Sequence, residues 1–236
     1  IMEQNSIVVK NVTKKFDDFM LDHISFTVPT GRIVGFIGEN GAGKSTTINL
    51  ILDQLKLDAG EIRILGKQNN SYLHKENIGV VFDECKFHSV LNAKDIAQIL
   101  SGSYKTWDMN LFEEYMKRLD VPLNKSIGQL SKGMKMKLSI ICALSHRPQI
   151  LILDEATSAL DNESERIVQA SLEKLAKGRT TFTIAHRLTT IKNATKILVL
   201  TDKGIEEAGT HQELMKKKGI YFDLYKSYQE MTADTE

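Results

Sequence analysis

A glycine-rich segment that ends in a lysine and two hydroxyl residues carries the strongest chemical signal in the sequence. It reads Gly38-Glu39-Asn40-Gly41-Ala42-Gly43-Lys44-Ser45-Thr46. Glycines at this spacing let successive backbone N–H groups converge on phosphate oxygens where a helix begins. We expect Lys44 to bridge the β- and γ-phosphates of ATP, Ser45 to ligate Mg²⁺ and Thr46 to lie against the α-phosphate. The other expected contacts to the nucleotide come from Gly38, Asn40, Gly41 and Gly43. The alternative is a glycine-rich turn with a surface lysine.

Two carboxylates at the end of an apolar strand form the second candidate. Residues 150–153 are apolar and are followed by Asp154 and Glu155. Sheets of α/β proteins bind ligands at the carboxyl ends of their strands. We expect Asp154 to hold Mg²⁺ through water and Glu155 to polarise the attacking water, as general base or water positioner. By itself such a pair is more often a solvated strand end. The functional interpretation of the pair depends on the presence of the phosphate loop in the same chain.

Two further segments are ambiguous on their own. Leu130-Ser131-Lys132-Gly133-Met134 is predicted to open a helix, where the Ser131 hydroxyl and nearby N–H groups could bind an anion or simply cap the helix. His186 follows a predicted strand and could contact the γ-phosphate and hold the attacking water. A single histidine is, however, more often structural.

The elements that must position these residues alternate between strand and helix. Strands are predicted at residues 6–9, 24–28, 32–37, 61–65, 77–82, 150–153, 180–184 and 196–200. The first segments suggest an antiparallel layer, and the later ones, separated by helical stretches, a parallel sheet. A helix is predicted from Lys44 to about Leu55, directly after the phosphate loop. Residues 92–144 are predicted to be mainly helical, with breaks at Pro122 and Gly128.

Composition limits the class of protein. The 236 residues are 42% hydrophobic and 26% charged, as in an ordinary globular protein. A net charge of +1 provides no overall field that would draw the protein to nucleic acid. Cys85 and Cys142 are too few for a disulfide framework and indicate structural thiols in a reducing cytosol. No apolar run approaches the roughly 20 residues that span a bilayer, and residues 1–12 are unlike a signal peptide. We therefore expect no direct membrane insertion, and we leave Ile1, which precedes Met2, out of the fold.

These segments, in their order along the chain, resemble the nucleotide-binding domain of ABC transporters from about residue 6 to residue 231. The segments are the phosphate loop, Leu130-Ser131-Lys132-Gly133, Asp154-Glu155, Ser158-Ala159-Leu160-Asp161 and His186. The resemblance implies an α/β fold, with a P-loop NTPase core of mostly parallel sheet, an N-terminal antiparallel β layer and an inserted helical subdomain. It implies a single ABC ATPase domain with its core at about 1–84 and 149–231 and the helical subdomain at about 85–148.

The same resemblance implies an ATP-hydrolysing subunit that forms a head-to-tail homodimer upon ATP binding, with two composite MgATP sites. Ser131 and Gly133 become γ-phosphate contacts across the dimer interface, and Asp161 couples the two sites. Phe16 matches the aromatic residue that stacks on adenine, although a core aromatic is the alternative. The implied partner is the transmembrane domain of a transporter in a separate chain, which places the subunit in the cytoplasm at the inner face of the membrane.

Some positions depart from the family pattern. Asp83 stands where the family usually has a glutamine that senses Mg²⁺, and either Asp83 or Glu84 could reach the metal. Lys132 and Met134 replace the usual glycine and glutamine. Residues 78–84 and 130–135 resemble ABC ATPases encoded apart from their membrane subunits, whereas residues 154–165, 183–188 and 209–211 resemble lipid and multidrug exporters.

This change of pattern suggests a hypothesis, an engineered or recombined chimera joined near Asp154. Such a chain could be a nucleotide-binding scaffold with weak or no ATPase activity and no physiological cargo. A third possibility, a soluble ABC machine acting on DNA or ribosomes, would call for a long coiled-coil insertion or two cassettes in tandem, and the sequence shows neither.

Overall fold

The computed structural model describes residues 4–154, 178–184 and 191–233. The chain divides into two compact units, Ile1–Ser71 with Gly178–Glu236 and Tyr72–Lys177. The described strands are β1 Asn5–Lys15, β2 Met20–Pro29, β3 Ile33–Ile37, β4 Ala59–Ile64, β5 Lys67–Gln68, β6 Ile78–Val81, β7 Ile150–Asp154, β8 Thr180–Ile184, β9 Lys196–Thr201 and β10 Gly204–Gly209. The described α-helices are α1 Lys44–Ile51, α2 Ala93–Ser103, α3 Met109–Arg118, α4 Lys132–Ser145, α5 His211–Lys217 and α6 Ile220–Ala233.

The first unit begins with an antiparallel sheet in the order β2-β1-β4-β5. Strand β1 lies between β2 and β4, so that Val9 is paired with Phe26 on one side and with Ile62 on the other. Side chains on one face of β1, including Ile7, are buried, because alternate residues of a strand point to the same side. The expected antiparallel layer is therefore present.

The second sheet of this unit carries the phosphate loop. Strand β3 pairs in parallel with both β8 and β9, and β9 pairs antiparallel with β10. The middle strand is apolar and almost wholly buried, as expected of a strand covered on both faces. Phe26, Phe36 and Phe182 form an aromatic cluster with ring centroids 5.2–5.6 Å apart. This cluster joins the antiparallel layer to the parallel strands.

Helix α1 starts at Lys44 as predicted but ends at Ile51 rather than near Leu55. Leu52 already has ψ near zero, and Asp53 adopts the left-handed region with φ of 57°. A left-handed residue cannot continue a right-handed helix. The predicted helix was therefore about one turn too long.

The second unit combines the parallel pair β6 and β7 with α2, α3 and α4. Helix α2 begins at a capping box, in which the Asn92 side chain accepts from the Asp95 N–H and the Asp95 carboxylate accepts from the Asn92 N–H. Helix α3 begins at Asp108, whose carboxylate accepts from the Leu111 N–H. These caps divide the predicted helical stretch at residues 104–108, a break that was not predicted from the sequence. The predicted breaks at Pro122 and Gly128 both fall between α3 and α4.

Within the first unit, a buried carboxylate on β10 holds the two C-terminal helices. Glu207 on β10 is 5% exposed and accepts hydrogen bonds from the Tyr221 N–H at 2.9 Å and the Lys217 ammonium at 3.1 Å. Gly219 passes so close to Glu207 that a side chain there would collide with the carboxylate. Among the helices in the described ranges, none is long and apolar enough to cross a membrane.

Candidate functional site

The phosphate loop connects β3 to α1 and is shaped by glycines in conformations that other residues rarely adopt. Gly41 has φ of 85° and Gly43 has φ of 98°. Gly38 is required for a different reason, since a Cβ there would lie 2.3 Å from the carbonyl oxygen of Leu200 on β9. Asn40 lies on the exposed part of the loop. The loop is therefore fixed both by its own backbone and by its packing on the neighbouring strand.

Lys44 closes this loop on itself. Its side chain is 6% exposed, and its ammonium donates to the carbonyl oxygens of Gly38 at 2.8 Å and Glu39 at 2.9 Å. These bonds hold a cation where the loop folds over the start of α1. A phosphate oxygen is a stronger, charged acceptor than a peptide carbonyl. The geometry thus suits a lysine that exchanges backbone partners for phosphate.

The start of α1 is open to an anion. Gly43 is the N-cap and has no side chain to accept from the first N–H groups, and the first turn of α1, which is fully described, contains no acidic residue. Unsatisfied N–H groups and the helix dipole favour negative charge at such an end. The Ser45 side chain is exposed and Thr46 is partly buried. Ser45 can therefore reach a ligand or an ion that is bound at the loop.

An aromatic pair lies beside the loop in the same unit. Phe16 is 39% exposed, and its ring stacks on Phe19 with centroids 6.1 Å apart and planes inclined by 29°. The Lys14 ammonium lies 5.8 Å from the centroid of the Phe16 ring. Sequence reasoning selected Phe16 but missed Phe19, for which the only signal was a second aromatic three residues further on. An exposed aromatic face at this place can stack on a nucleobase.

The predicted metal ligands Asp83 and Asp154 belong to the second unit. Asp154 is the last residue of β7 and is partly buried. Asp83 follows β6 closely and is also partly buried. The Glu84 side chain is 73% exposed and forms an ion pair with Lys86 at 3.3 Å. The two carboxylates at the end of β6 thus lie in different surroundings.

Ser131 is the N-cap of α4, as its position before the helix suggested. Its hydroxyl accepts from the Met134 N–H at 3.2 Å. A hydroxyl that accepts one bond still has its own proton to donate. Gly133 lies in the first turn of the helix and is partly buried. A capping role and an anion-binding role are therefore compatible in Ser131.

Three predicted site residues, Glu155, Asp161 and His186, lie outside the described residues. Their proposed roles, as catalytic carboxylate, coupling residue and γ-phosphate contact, stay predictions.

Comparison with known proteins decides the family. A model described as ABC transporter matches residues 21–158, more than half of the chain. The chain belongs to the ABC transporter family. Its ATP-dependent lipid A-core flippase relative from Haemophilus influenzae (strain 86-028NP) is 35% identical over 238 residues, which cover 94% of this chain and 40% of that protein. The flippase of Photobacterium profundum is 37% identical over 236 residues, with 93% and 40% coverage.

Other ABC proteins give the same result. Multidrug resistance protein 1 of Entamoeba histolytica is 37% identical over 244 residues, which cover 94% of this chain and 18% of that protein. A solved structure of a bacterial Atm1-family ABC exporter with ATP bound superposes with a TM-score of 0.79 and 27% identity, covering 96% of this chain and 42% of that one. The predicted fold class and the resemblance to an ABC nucleotide-binding domain are confirmed. The chain spans about two fifths of the length of the flippases that it matches.

The hypothesis of a chimera joined near Asp154 is not supported. The ABC family model extends through this position, and single exporter-type relatives align over more than nine tenths of the chain. The predicted division into a core at 1–84 and 149–231 and a subdomain at 85–148 stays a prediction.

Proposed function

We propose that this chain hydrolyses ATP to ADP and phosphate as the nucleotide-binding domain of an ABC transporter, working as a head-to-tail dimer with two composite MgATP sites. The observation that carries this proposal is the phosphate loop, in which the Lys44 ammonium is held over the uncapped start of α1. ATP is the expected ligand because an exposed aromatic ring, Phe16, lies in the same unit. Membership of a family of ATPases supports the reaction.

Within the loop, each group has a separate task. The N–H groups that begin at Gly43 donate to phosphate oxygens, and Lys44 exchanges its carbonyl partners for the β- and γ-phosphates. Phe16 stacks on adenine, a contact of about 1–3 kcal/mol where base stacking has been measured. These contacts bind and orient the nucleotide before any bond is broken.

Mg²⁺, when bound, would supply positive charge that offsets the negative charge on the γ-phosphate. The oxygen donors that we assign to it are hard ligands of the kind Mg²⁺ prefers, the Ser45 hydroxyl and the Asp154 and Asp83 carboxylates. We choose Asp83 over Glu84 because Glu84 is exposed and already paired with Lys86.

The reaction needs residues from both copies of the chain. Ser131, which accepts from the Met134 N–H, uses its own O–H to donate to the γ-phosphate of the partner copy, beside Gly133. Glu155 takes up or orients the proton of the attacking water, His186 holds that water in place, and Asp161 couples the two sites. A single copy would thus bind ATP but turn it over slowly.

The transporter role rests on the relatives, which include a lipid A-core flippase and an Atm1-family exporter. We propose that a transmembrane domain is the partner of this domain at the inner face of a membrane. The cycle of ATP binding and hydrolysis would drive the movement of that partner.

The decisive experiment measures steady-state ATPase activity against protein concentration. A composite site predicts activity that rises more than linearly with concentration. Glu155→Gln should lower turnover by roughly 10²- to 10⁴-fold while ATP binding persists. Lys44→Ala should instead weaken MgATP binding itself. Tight ATP binding with negligible turnover at every concentration would make the chain a non-catalytic nucleotide-binding scaffold. Unchanged MgATP affinity in Lys44→Ala would refute the assigned role of the loop.

A further inference from the structure

Phe19 occupies the space between the exposed aromatic ring and the phosphate loop. Its ring stacks on Phe16 with 6.1 Å between centroids. At its other end, its Cζ atom lies only 2.9 Å from the point where a Cβ on Gly43 would stand. Phe16, Phe19 and the buried Gly43 are therefore neighbours, in this order, in the first unit.

The second neighbour of Gly43 shows why Phe19 is more than a core residue. The Leu21 Cδ1 atom lies 2.8 Å from the same Cβ position, and Leu21 is 2% exposed. Leu21 thus supports the loop from the interior. Phe19 keeps part of its surface in solvent. The two side chains hold Gly43 from an inner and an outer side, and only Phe19 can also contact a ligand.

The conformation of Phe19 is set by a tight turn. The Phe16 N–H donates to the Phe19 carbonyl at 2.7 Å, and the two residues between them, Asp17 and Asp18, are exposed. This turn brings the two rings to the same side of the chain while the acidic side chains stay in solvent. The aromatic pair is therefore fixed before a ligand arrives.

We propose that Phe19 packs against the ribose of the bound nucleotide, an inference that rests on the proposed function. A nucleotide is a linear arrangement of base, sugar and phosphates, and the protein offers Phe16, Phe19 and the Gly43 loop in the same order. With the base on Phe16 and the phosphates at the start of α1, the sugar has to pass over Phe19. The apolar C–H groups of ribose suit an aromatic surface, which buries them from water.

The test separates the three parts of the nucleotide by calorimetric titration with Mg²⁺ and inorganic tripolyphosphate, ribose 5-triphosphate or ATP. The wild-type chain should bind ribose 5-triphosphate more tightly than tripolyphosphate, and ATP more tightly still. In Phe19→Ala the gain from tripolyphosphate to ribose 5-triphosphate should fall by roughly 2- to 10-fold, the affinity equivalent of one aromatic contact. The affinity for tripolyphosphate should fall by less than the affinity for ribose 5-triphosphate, because Phe19 also supports Gly43 in the loop.

Two further variants make the result specific. Phe16→Ala is the matched control. It should keep the gain in affinity from tripolyphosphate to ribose 5-triphosphate and lose the gain in affinity from ribose 5-triphosphate to ATP. Phe19→Tyr keeps the ring and should restore the wild-type gain from ribose, which shows that a loss in Phe19→Ala is not misfolding.

The outcomes that contradict the proposal are distinct. If Phe19→Ala keeps the full gain from ribose, Phe19 does not contact the sugar. If it loses affinity for tripolyphosphate to the same extent as for ribose 5-triphosphate, Phe19 only supports the loop. If the wild-type chain binds none of the three compounds, the proposed function itself is wrong, and this inference falls with it.

Discussion

Gly43→Ala tests how the phosphate loop is held in shape. The loop also offers a matched control, because Gly41 and Gly43 both have positive φ, 85° and 98°. At Gly41 a Cβ would meet no other atom within 4 Å, whereas at Gly43 it would lie 2.8 Å from Leu21 and 2.9 Å from Phe19. Both alanine variants therefore strain the backbone, but only Gly43→Ala brings the added methyl group into collision with Leu21 and Phe19.

The magnitudes follow from this difference. A non-glycine residue in a left-handed conformation costs about 1–3 kcal/mol, which we expect in both variants. An added methyl group that displaces packed side chains costs a further 1–3 kcal/mol or so, which we expect for Gly43→Ala alone. Leu21 is buried and has little room to move, so Phe19 should give way first. Adding Phe19→Ala to Gly43→Ala should therefore recover part of the extra penalty.

The assay is urea unfolding of the nucleotide-free protein, followed by far-ultraviolet circular dichroism. Fluorescence is unsuitable because the single tryptophan, Trp107, lies in the other compact unit. Equal destabilisation by Gly41→Ala and Gly43→Ala would show that the collision is absent. Strictly additive effects of Gly43→Ala and Phe19→Ala would show that Phe19 does not press on the loop.

Two other predictions concern titratable groups. Burial alone would raise the pKa of Glu207, but hydrogen bonds from the Tyr221 N–H and Lys217 outweigh it and lower the pKa from the ordinary value of 4.5. A depressed carboxyl pKa stabilises the fold above the unfolded-state value and ceases to do so as pH falls through the folded-state value. Glu207→Gln should thus lower the free energy of unfolding by about 1.5–3 kcal/mol at neutral pH and by progressively less below pH 4.5. Urea unfolding at several pH values measures this difference. A loss of stability that does not change with pH would contradict the prediction. Burial, with a smaller effect of Cys85, raises the pKa of the Cys142 thiol. A disulfide reagent at neutral pH should therefore modify only Cys85 of the two cysteines in the native protein. In urea it should modify both. Equal native reactivity would refute the burial of Cys142.

The parts of the fold that the sequence could predict are those with a local cause. The phosphate loop is one, because its glycines and the lysine that follows are needed wherever backbone N–H groups surround a phosphate. The strand at Thr180–Ile184 was predicted at its observed bounds, since it is a buried run of branched and aromatic residues between polar segments. Ser131 as a helix cap is a third case, because a serine before a helical segment is a strong start signal.

The features that were missed depend on contacts between distant parts of the chain or on competing local signals. Phe19 acquires its place only through contact with Gly43, which no spacing rule connects to it. The break before α3 depends on Asp108, which accepts from the Leu111 N–H and from the Arg147 guanidinium at 2.6 Å, far along the chain. Glu207 looks like an ordinary surface glutamate on a short strand until the C-terminal helices fold over it.

The close approach of Gly38 to Leu200 connects the phosphate loop to the C-terminal helix of the first unit. The loop rests on β9, β9 is paired with β10, and Glu207 on β10 holds the start of the C-terminal helix through the Tyr221 N–H. The loop and that helix are thus connected through two paired strands of the first unit. Phosphate binding, which stiffens the loop, should slow amide hydrogen exchange at Tyr221 as well as at Lys44. Amide exchange at the start of the C-terminal helix would then report whether phosphate is bound at the loop.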